Sequence, residues 1–328
     1  MSLYRNTVWL FKGLREYTRD GYERAARNFH EEDMKVDCKG KKIVITGSNS
    51  GIGKVMAAKV AKLNAQVHMV CRDVQKGEQV RQEIMKQSGN NDVHLHQLDL
   101  SKLKDVEMFA ASFAEKYSPI DVLINNAGVL MDSWVLTEEG VEKTFAVNTA
   151  GLHLLTKGLI KALESSPNPR VVIVSSGGML VQKLNKDDIN MESLKGKHFD
   201  GTMAYARTKR QEVELTEVYA KKYPKIWWSS MHPGWSDTPG VQDSMPSFYN
   251  RMKDRLRTPE QGADTAIWLA VSPAATKNPS GLFYQDRAPA STHLPLAWTH
   301  SNNAEKEAFY DAIENFCDRI LKPSMSPQ

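Results

Sequence analysis

Seven short apolar runs, separated by longer stretches of helical spacing, constrain this chain more than any other feature. The runs are Ile43-Val44-Ile45, Val67 to Cys71, Val93 to Leu98, Val122-Leu123-Ile124, Val171 to Val174, Ile226 to Met231 and the weaker Leu282-Phe283-Tyr284. Between them, segments such as Gly53 to Leu63, Leu103 to Tyr117 and Met203 to Lys222 carry apolar residues at helical spacing. A strand that is apolar along its whole length needs cover on both faces, and each connecting helix supplies it by packing back on the sheet. Right-handed crossovers then predict an α/β fold with a doubly wound parallel sheet of about seven strands. No internal repeat or second core is evident in the 328 residues. The expected organisation is one domain over 38–290, an amphipathic helical extension over 1–37, and a tail over 291–328 with a helix at Asn303 to Leu321.

The charge balance, 43 basic against 39 acidic residues, is too even to indicate a nucleic-acid partner. The three cysteines, Cys38, Cys71 and Cys317, are odd in number and far apart. They offer neither a disulfide framework nor metal-ligand spacing, which points to a reducing, intracellular and cytoplasmic setting with no metal. No apolar run approaches the length that spans a bilayer. Val8-Trp9-Leu10-Phe11, bracketed by Arg5 and Lys12, is too short for a signal-peptide core.

Within residues 1–36, Tyr4, Val8, Phe11, Leu14 and Tyr17 recur at the spacing of one helical face, although Gly13 and Gly21 weaken a helix there. Basic residues outnumber acidic ones in its first part, so the segment suits peripheral contact with an anionic membrane. Packing across the back of the domain suits it equally.

The first strand runs into Thr46-Gly47-Ser48-Asn49-Ser50-Gly51-Ile52-Gly53, followed by Lys54. Glycines let the chain turn sharply and let backbone amides approach a pyrophosphate, and the next helix offers its positive end. The spacing is Gly-x-x-x-Gly-x-Gly, and its position between strand and helix gives it weight. After the second strand comes Cys71-Arg72-Asp73. Asp73 suits a free ribose, whereas the fork of donors on Arg72 suits a 2′-phosphate, with Lys54 adding positive charge. NADP(H) is therefore favoured over NAD(H). Asp99 and Leu100 close the third strand, where Asp99 can meet an adenine amino group, and Asn125-Asn126-Ala127-Gly128 closes the fourth with small or amide side chains. Each of these residues alone suits an ordinary polar strand end; four successive strand ends with suitable chemistry carry the inference.

Past the fifth strand lie Ser175-Ser176 and then Tyr205-Ala206-Arg207-Thr208-Lys209. Tyr205 and Lys209, four apart, share a helix face. A tyrosine with a pKa near 10 is a weak acid–base catalyst at neutral pH, and a neighbouring ammonium lowers it towards the useful range. Taken together, the glycine loop, the Asn-Asn-Ala-Gly strand end, the serines and this pair resemble the short-chain dehydrogenase/reductase superfamily, in its retinol-dehydrogenase-like branch. The resemblance covers about residues 40–290 and implies a Rossmann-type fold. It implies that Tyr205 is the acid–base residue, that Ser176 holds the substrate oxygen (Ser175 stays open), that Lys209 binds the nicotinamide ribose, and that Asn148 supports a proton relay. It also implies that Pro233 and Gly234 lie beside the nicotinamide and that Thr238 binds the carboxamide. His232 suits a structural role better than a catalytic one.

Ser176 and Tyr205 lie 29 positions apart, so the segment containing Met179-Leu180-Val181 and His198-Phe199-Asp200 is expected to shape the substrate mouth. The expected activity is hydride transfer between NADP(H) and a small-molecule carbonyl or alcohol, as an NADPH-dependent carbonyl reductase. The alternatives are an NADPH-binding sensor or scaffold with little turnover, and a membrane-associated retinoid, steroid or lipid dehydrogenase. By resemblance a homodimer would pair through the helices flanking the fifth strand.

Overall fold

All seven apolar runs are strands in the computed structural model, which describes residues 2–196 and 199–322. They are β1 (Lys42–Thr46), β2 (Gln66–Cys71), β3 (Val93–Gln97), β4 (Val122–Asn125), β5 (Arg170–Val174), β6 (Trp227–Met231) and β7 (Leu282–Gln285), with a two-residue β8 (Ala288–Pro289). The sheet order is β3-β2-β1-β4-β5-β6-β7-β8, parallel from β3 to β7. Strand order reverses between β1 and β4, and there the carboxyl ends of an open α/β sheet leave a crevice. The eighth strand is antiparallel to β7 and returns through Asp286 and Arg287, both at positive φ. Two residues ending in proline at a sheet edge leave no apolar run to read.

Among the described residues, twelve α-helices accompany the sheet: α1 (Ser2–Glu16), α2 (Arg19–Ala26), α3 (Gly51–Lys62), α4 (Val74–Ser88), α5 (Leu103–Tyr117), α6 (Lys143–Phe145), α7 (Leu152–Glu164), α8 (Gly201–Lys222), α9 (Pro239–Ser244), α10 (Pro246–Met252), α11 (Pro259–Val271) and α12 (Asn303–Leu321). Successive strand residues point to opposite faces, so β1 puts Ile43 and Ile45 into one core and Val44 into the other. The first of these faces is covered by α3, α4 and α11, the second by α5, α7 and α8. Helix α12 adds Phe309, Ile313 and Phe316 to the second core, with Phe316 meeting Phe145 edge-on at 5.2 Å. The three cysteines are free and buried.

The structure of the N-terminal segment differs from the sequence reading in its details. It is two helices, broken at Tyr17–Thr18, where Thr18 caps α2 through Gly21 N. Gly13 remains inside α1 because Trp235 packs against it: a Cβ there would lie 2.3 Å from the indole ring. Val8 and Tyr17 turn inward, whereas Leu3, Tyr4, Leu10 and Phe11 are exposed, so the expected apolar face is divided between protein and solvent. Helix α1 packs on the loops at the carboxyl ends of β5 and β6, while the end of the segment, through Asp33, Met34 and Val36, packs against α11 and the core it covers.

Candidate active site

A cavity of about 350 Å³ opens where the carboxyl ends of β1, β2, β3 and β4 diverge. Gly47 and Gly51, both at positive φ, turn the chain from β1 into α3. A Cβ on Gly53 would lie 2.2 Å from Gly47 O, so only glycine lets the loop close this tightly. Asn126 fixes the far side: its Nδ2 donates to Thr46 O and Gly47 O at 2.9 and 3.2 Å, and Thr46 Oγ1 accepts from Asn126 N and Ala127 N. These bonds hold the ends of β1 and β4 together under the loop.

Most of the residues read as cofactor-binding line this cavity: Gly47, Asn49, Ser50, Gly51, Ile52, Gly53, Arg72, Asp73, Asp99, Leu100, Asn126, Ala127, Gly128 and Thr238. Asp73 also caps α4 by accepting from Lys76 N, and Thr238 caps α9 through Val241 N. Asp99 Oδ1 accepts from the amide and hydroxyl of Ser101. Thr46, Val70, Leu98, Val129 and Val147 are further wall residues, outside the positions expected to bind the cofactor.

Other predicted positions lie elsewhere. Ser48 is fully buried, its hydroxyl donating to Ile45 O and sitting 3.4 Å from Cys71 Sγ. The Lys54 ammonium pairs with Glu83 on α4 at 2.7 Å, which weakens its claim as a second phosphate charge. Pro233 and Gly234 stand outside the cavity wall, against Arg257: Pro233 O accepts from Arg257 Nη1, and a Cβ on Gly234 would lie 2.3 Å from Arg257 Nε. His232 accepts from Gly234 N, and burial holds its pKa down at about 4, as suits a neutral structural histidine.

Three elements converge at the inner end of the cavity. Asp200 caps α8 by accepting from Met203 N, and the helix carries half-buried Tyr205 and buried Lys209 on one face. The Lys209 ammonium sits 5.4 Å from the Tyr205 ring centroid and donates to Val174 O and Glu212 Oε1. Asn148 lies in a π-helical stretch, Ala146–Gly151, between α6 and α7; such single turns often re-aim a side chain at a site. Its amide is fully engaged, accepting from Val129 N and donating to Val129 O and Thr208 Oγ1. Gly128 lies between them: a Cβ there would stand 3.2 Å from Lys209 Nζ and 3.5 Å from Asn148 Oδ1.

The two serines differ. Ser175 is buried and its hydroxyl donates to Lys209 O, whereas half-buried Ser176 accepts, among the described residues, from Gly178 N within its own turn. Ser176 is thus the hydroxyl left to meet a ligand.

Met179 and Leu180 do not form an open mouth. They are buried with Tyr17, Val213, Phe283 and Leu294 in a small third core. Phe199 stacks edge-on against Trp134 at 5.8 Å, and His198 lies outside the described residues. Sequence patterns missed the N-terminal contribution. Trp9 Nε1 donates to Gly177 O at 2.8 Å, and Tyr17 packs on His232 and Trp235. Arg257, buried and forked onto Asp286 at 2.6 and 3.0 Å, donates to Glu16 O, Thr18 O and Pro233 O. No local spacing announces the partners of Trp9 and Arg257 that lie 168 to 241 residues away.

Residues 41–186 match the family described as short chain dehydrogenase. The chain is 52% identical to the human protein named dehydrogenase/reductase SDR family member 12 over 96% of this chain and 98% of that one. Human retinol dehydrogenase 11 is 37% identical over 72% of this chain and 74% of its own. Among solved structures, a 3-ketoacyl-(acyl-carrier-protein) reductase from Brucella melitensis, complexed with NADH, superposes with a TM-score of 0.59 at 26% identity. That likeness covers 75% of this chain and 96% of the reductase.

Proposed function

The chain belongs to the short-chain dehydrogenase/reductase family of oxidoreductases, and we propose that it reduces a small-molecule carbonyl with NADPH. The observation that carries this reading is the convergence of Lys209 Nζ, Asn148 Oδ1 and the bare Cα of Gly128 at the end of a glycine-lined cavity. That cavity fits a dinucleotide by its chemistry. Positive-φ glycines admit a pyrophosphate, α3 presents its amino end, and small residues from β4 leave room for a ring beside Lys209. Exposed Arg72 at the second strand end favours the 2′-phosphate of NADP(H).

When bound, the nicotinamide supplies the hydride. Ser176 Oγ then holds the carbonyl oxygen, and Tyr205 gives that oxygen its hydroxyl proton as the C–H bond forms. Lys209 keeps positive charge beside the phenol and would hold the ribose of the bound cofactor. The Asn148 amide, spent on Val129 and Thr208, acts by holding the π-helical stretch in place, so a proton relay there would run through its backbone.

NADPH oxidation followed across aldehydes, quinones, steroids and retinoids tests the reading. Turnover should appear with at least one class, and Tyr205→Phe should lower it by a factor of about 10² to 10⁴ while NADPH binding persists. NADPH binding with no turnover across the panel would instead indicate a nucleotide sensor.

A second reading places the enzyme at a membrane, carried by the outer face of α1. Leu3, Leu10 and Phe11 are 79%, 45% and 68% exposed, and Leu296 and Trp298, in the loop that Tyr4 and Arg5 bond, are 76% and 71% exposed. A cluster of this kind is characteristic of an interaction surface. Joint Leu10→Glu and Phe11→Glu substitutions should release the protein from anionic vesicles and leave turnover of a soluble substrate unchanged. Equal vesicle binding by the variant would remove this reading.

A further inference from the structure

A second cavity, of about 640 Å³, lies between the N-terminal helices and the turn from β7 to β8, and it shares no wall residue with the cofactor cavity. That volume is ample for a small molecule. Part of the wall is apolar, with Ala25 on α2, Phe29 just beyond it and Pro289 on β8. Three arginines and three carboxylates line the rest. Each carboxylate is already engaged: Asp286 by Arg257, Glu16 by Lys12, and Asp33 by the indole N–H of Trp268. Arg287 is likewise forked onto Asp264, and it lies over the Phe29 ring at 4.4 Å. Arg15 and Arg24 differ. Both are exposed at the rim, and neither meets a carboxylate among the described residues. Arg24 donates one N–H to the carbonyl of Arg15, which fixes its guanidinium at the end of α1 and leaves four donors. The Arg15 side chain makes no hydrogen bond among the described residues.

We propose that this cavity is a second ligand site, which binds a free small organic anion: a phosphate or carboxylate carried on an apolar body. The anionic group sits between Arg15 and Arg24, and the body lies against Ala25, Phe29 and Pro289. Two guanidinium groups on one rim repel each other, and an anion between them turns that repulsion into attraction. Their planar forks of donors match the paired oxygens of a carboxylate or phosphate. The cavity extends past this rim into apolar surface, which selects an anion with a body over a bare inorganic ion.

The ligand acts as an effector, since none of Ser176, Tyr205 and Lys209 lines this cavity. Its place in the fold says what it affects. Arg257 stands behind the wall, donating to Glu16 O and Asp286 on the cavity side and to Pro233 O on the other. A bound anion bridges α1, α2 and the β7–β8 turn, the same pieces that Arg257 ties to the segment after β6. Occupancy therefore holds the N-terminal helices on the domain and stabilises the folded chain by mass action. The proposal depends neither on carbonyl reduction nor on membrane contact: Leu3, Leu10 and Phe11 are not part of this wall.

Calorimetric titration of the full chain with 1-naphthyl phosphate, 1-naphthoate and 1-naphthol tests the site, with thermal unfolding in parallel. Both anions should bind saturably and raise Tm, and the neutral naphthol should bind at least about tenfold more weakly. Joint Arg15→Glu and Arg24→Glu substitutions reverse the rim charge at exposed positions, and Ala25→Phe fills the apolar part while keeping both arginines. Each variant should weaken binding of the anions by at least about tenfold. Binding that survives both variants would place the probe elsewhere, the cofactor cavity included, and overturn the proposal. Equal affinity for naphthol, or no saturable binding of either anion, would overturn it as well. Displacement of the bound probe by phosphatidylserine vesicles, with phosphatidylcholine vesicles inert, would assign the arginines to a lipid headgroup and overturn the free-ligand assignment.

Discussion

The indole N–H of Trp9 donates to the carbonyl oxygen of Gly177 at 2.8 Å, joining the first helix of the chain to the turn that follows Ser176. The N-terminal segment is therefore tied to the candidate active site. Trp9→Phe keeps an aromatic ring against Trp235, which it meets at 5.6 Å, but removes the donor. A hydrogen bond of this kind contributes about 0.5–1.5 kcal/mol. If the turn positions Ser176, kcat/KM for carbonyl reduction should fall roughly two- to tenfold with NADPH affinity unchanged. Steady-state kinetics beside a cofactor titration separates the two.

Arg257 makes the same connection from the other side. Its guanidinium is forked onto Asp286 and donates to the carbonyls of Glu16, Thr18 and Pro233, all in buried or half-buried surroundings. Arg257→Ala leaves Asp286 buried without its partner, which costs about 3–5 kcal/mol. Arg257→Lys should recover only part of this, since an ammonium cannot fork onto a carboxylate while reaching three carbonyls. Chemical denaturation of the three proteins checks the order. Removing residues 1–36 would sever these contacts as well, so membrane binding is better tested by surface substitutions on α1.

What could be read from the sequence follows from where the partners of each residue lie. The strands were legible because parallel strands covered on both faces are apolar throughout, and the glycine loop because its chemistry is local. The packing of helix α1 was not legible because its apolar residues serve two surfaces: Val8 meets the protein, as does Tyr17 just after the helix, while Leu3, Leu10 and Phe11 meet solvent. Ser48 and Lys54 sit in the expected loop, yet their side chains turn to Ile45 O and Glu83, partners that spacing does not reveal. Glu212 was invisible for another reason. One turn past Lys209 it resembles an ordinary surface charge, and only the packing of α8 buries it.

The proposed preference for NADP(H) can be tested separately at Arg72 and Lys54. Arg72 is exposed at the cavity wall, and Lys54 is occupied by Glu83. Arg72→Ala should raise the KM for NADPH by roughly ten- to a hundredfold, the worth of one charge-assisted contact, and change that for NADH little. Lys54→Ala should have a much smaller effect on either. Equal losses with both cofactors in Arg72→Ala would mean that the arginine does not meet the 2′-phosphate.

Stability should fall in acid through a histidine pair that lies outside the cavity wall. His68 on β2 is fully buried, its Nδ1 2.9 Å from Nε2 of His96 on β3, with its own Nε2 buried and unpartnered among the described residues. Phe113 and Tyr117 pack edge-on against both rings. Burial, followed by the charge of neighbouring histidines, pushes His68 down to about 3 and His96 to about 4. Both values lie below the ordinary 6.5, so the unfolded chain takes up protons that the folded one refuses. The stability tied to the pair is therefore complete above about pH 6.5 and is lost as pH falls towards 4 and then 3. For His68 the loss between about pH 6.5 and 5 is at most about 2 kcal/mol. Other buried histidines, including His153 and His232, act in the same direction, so the informative quantity is the difference between two proteins. The drop in Tm from pH 7.5 to 5 should be smaller in His68→Leu than in the wild-type protein, whatever the variant does to Tm at neutral pH. Parallel Tm curves would mean that His68 is protonated in the folded state and that the ring stack tolerates the charge.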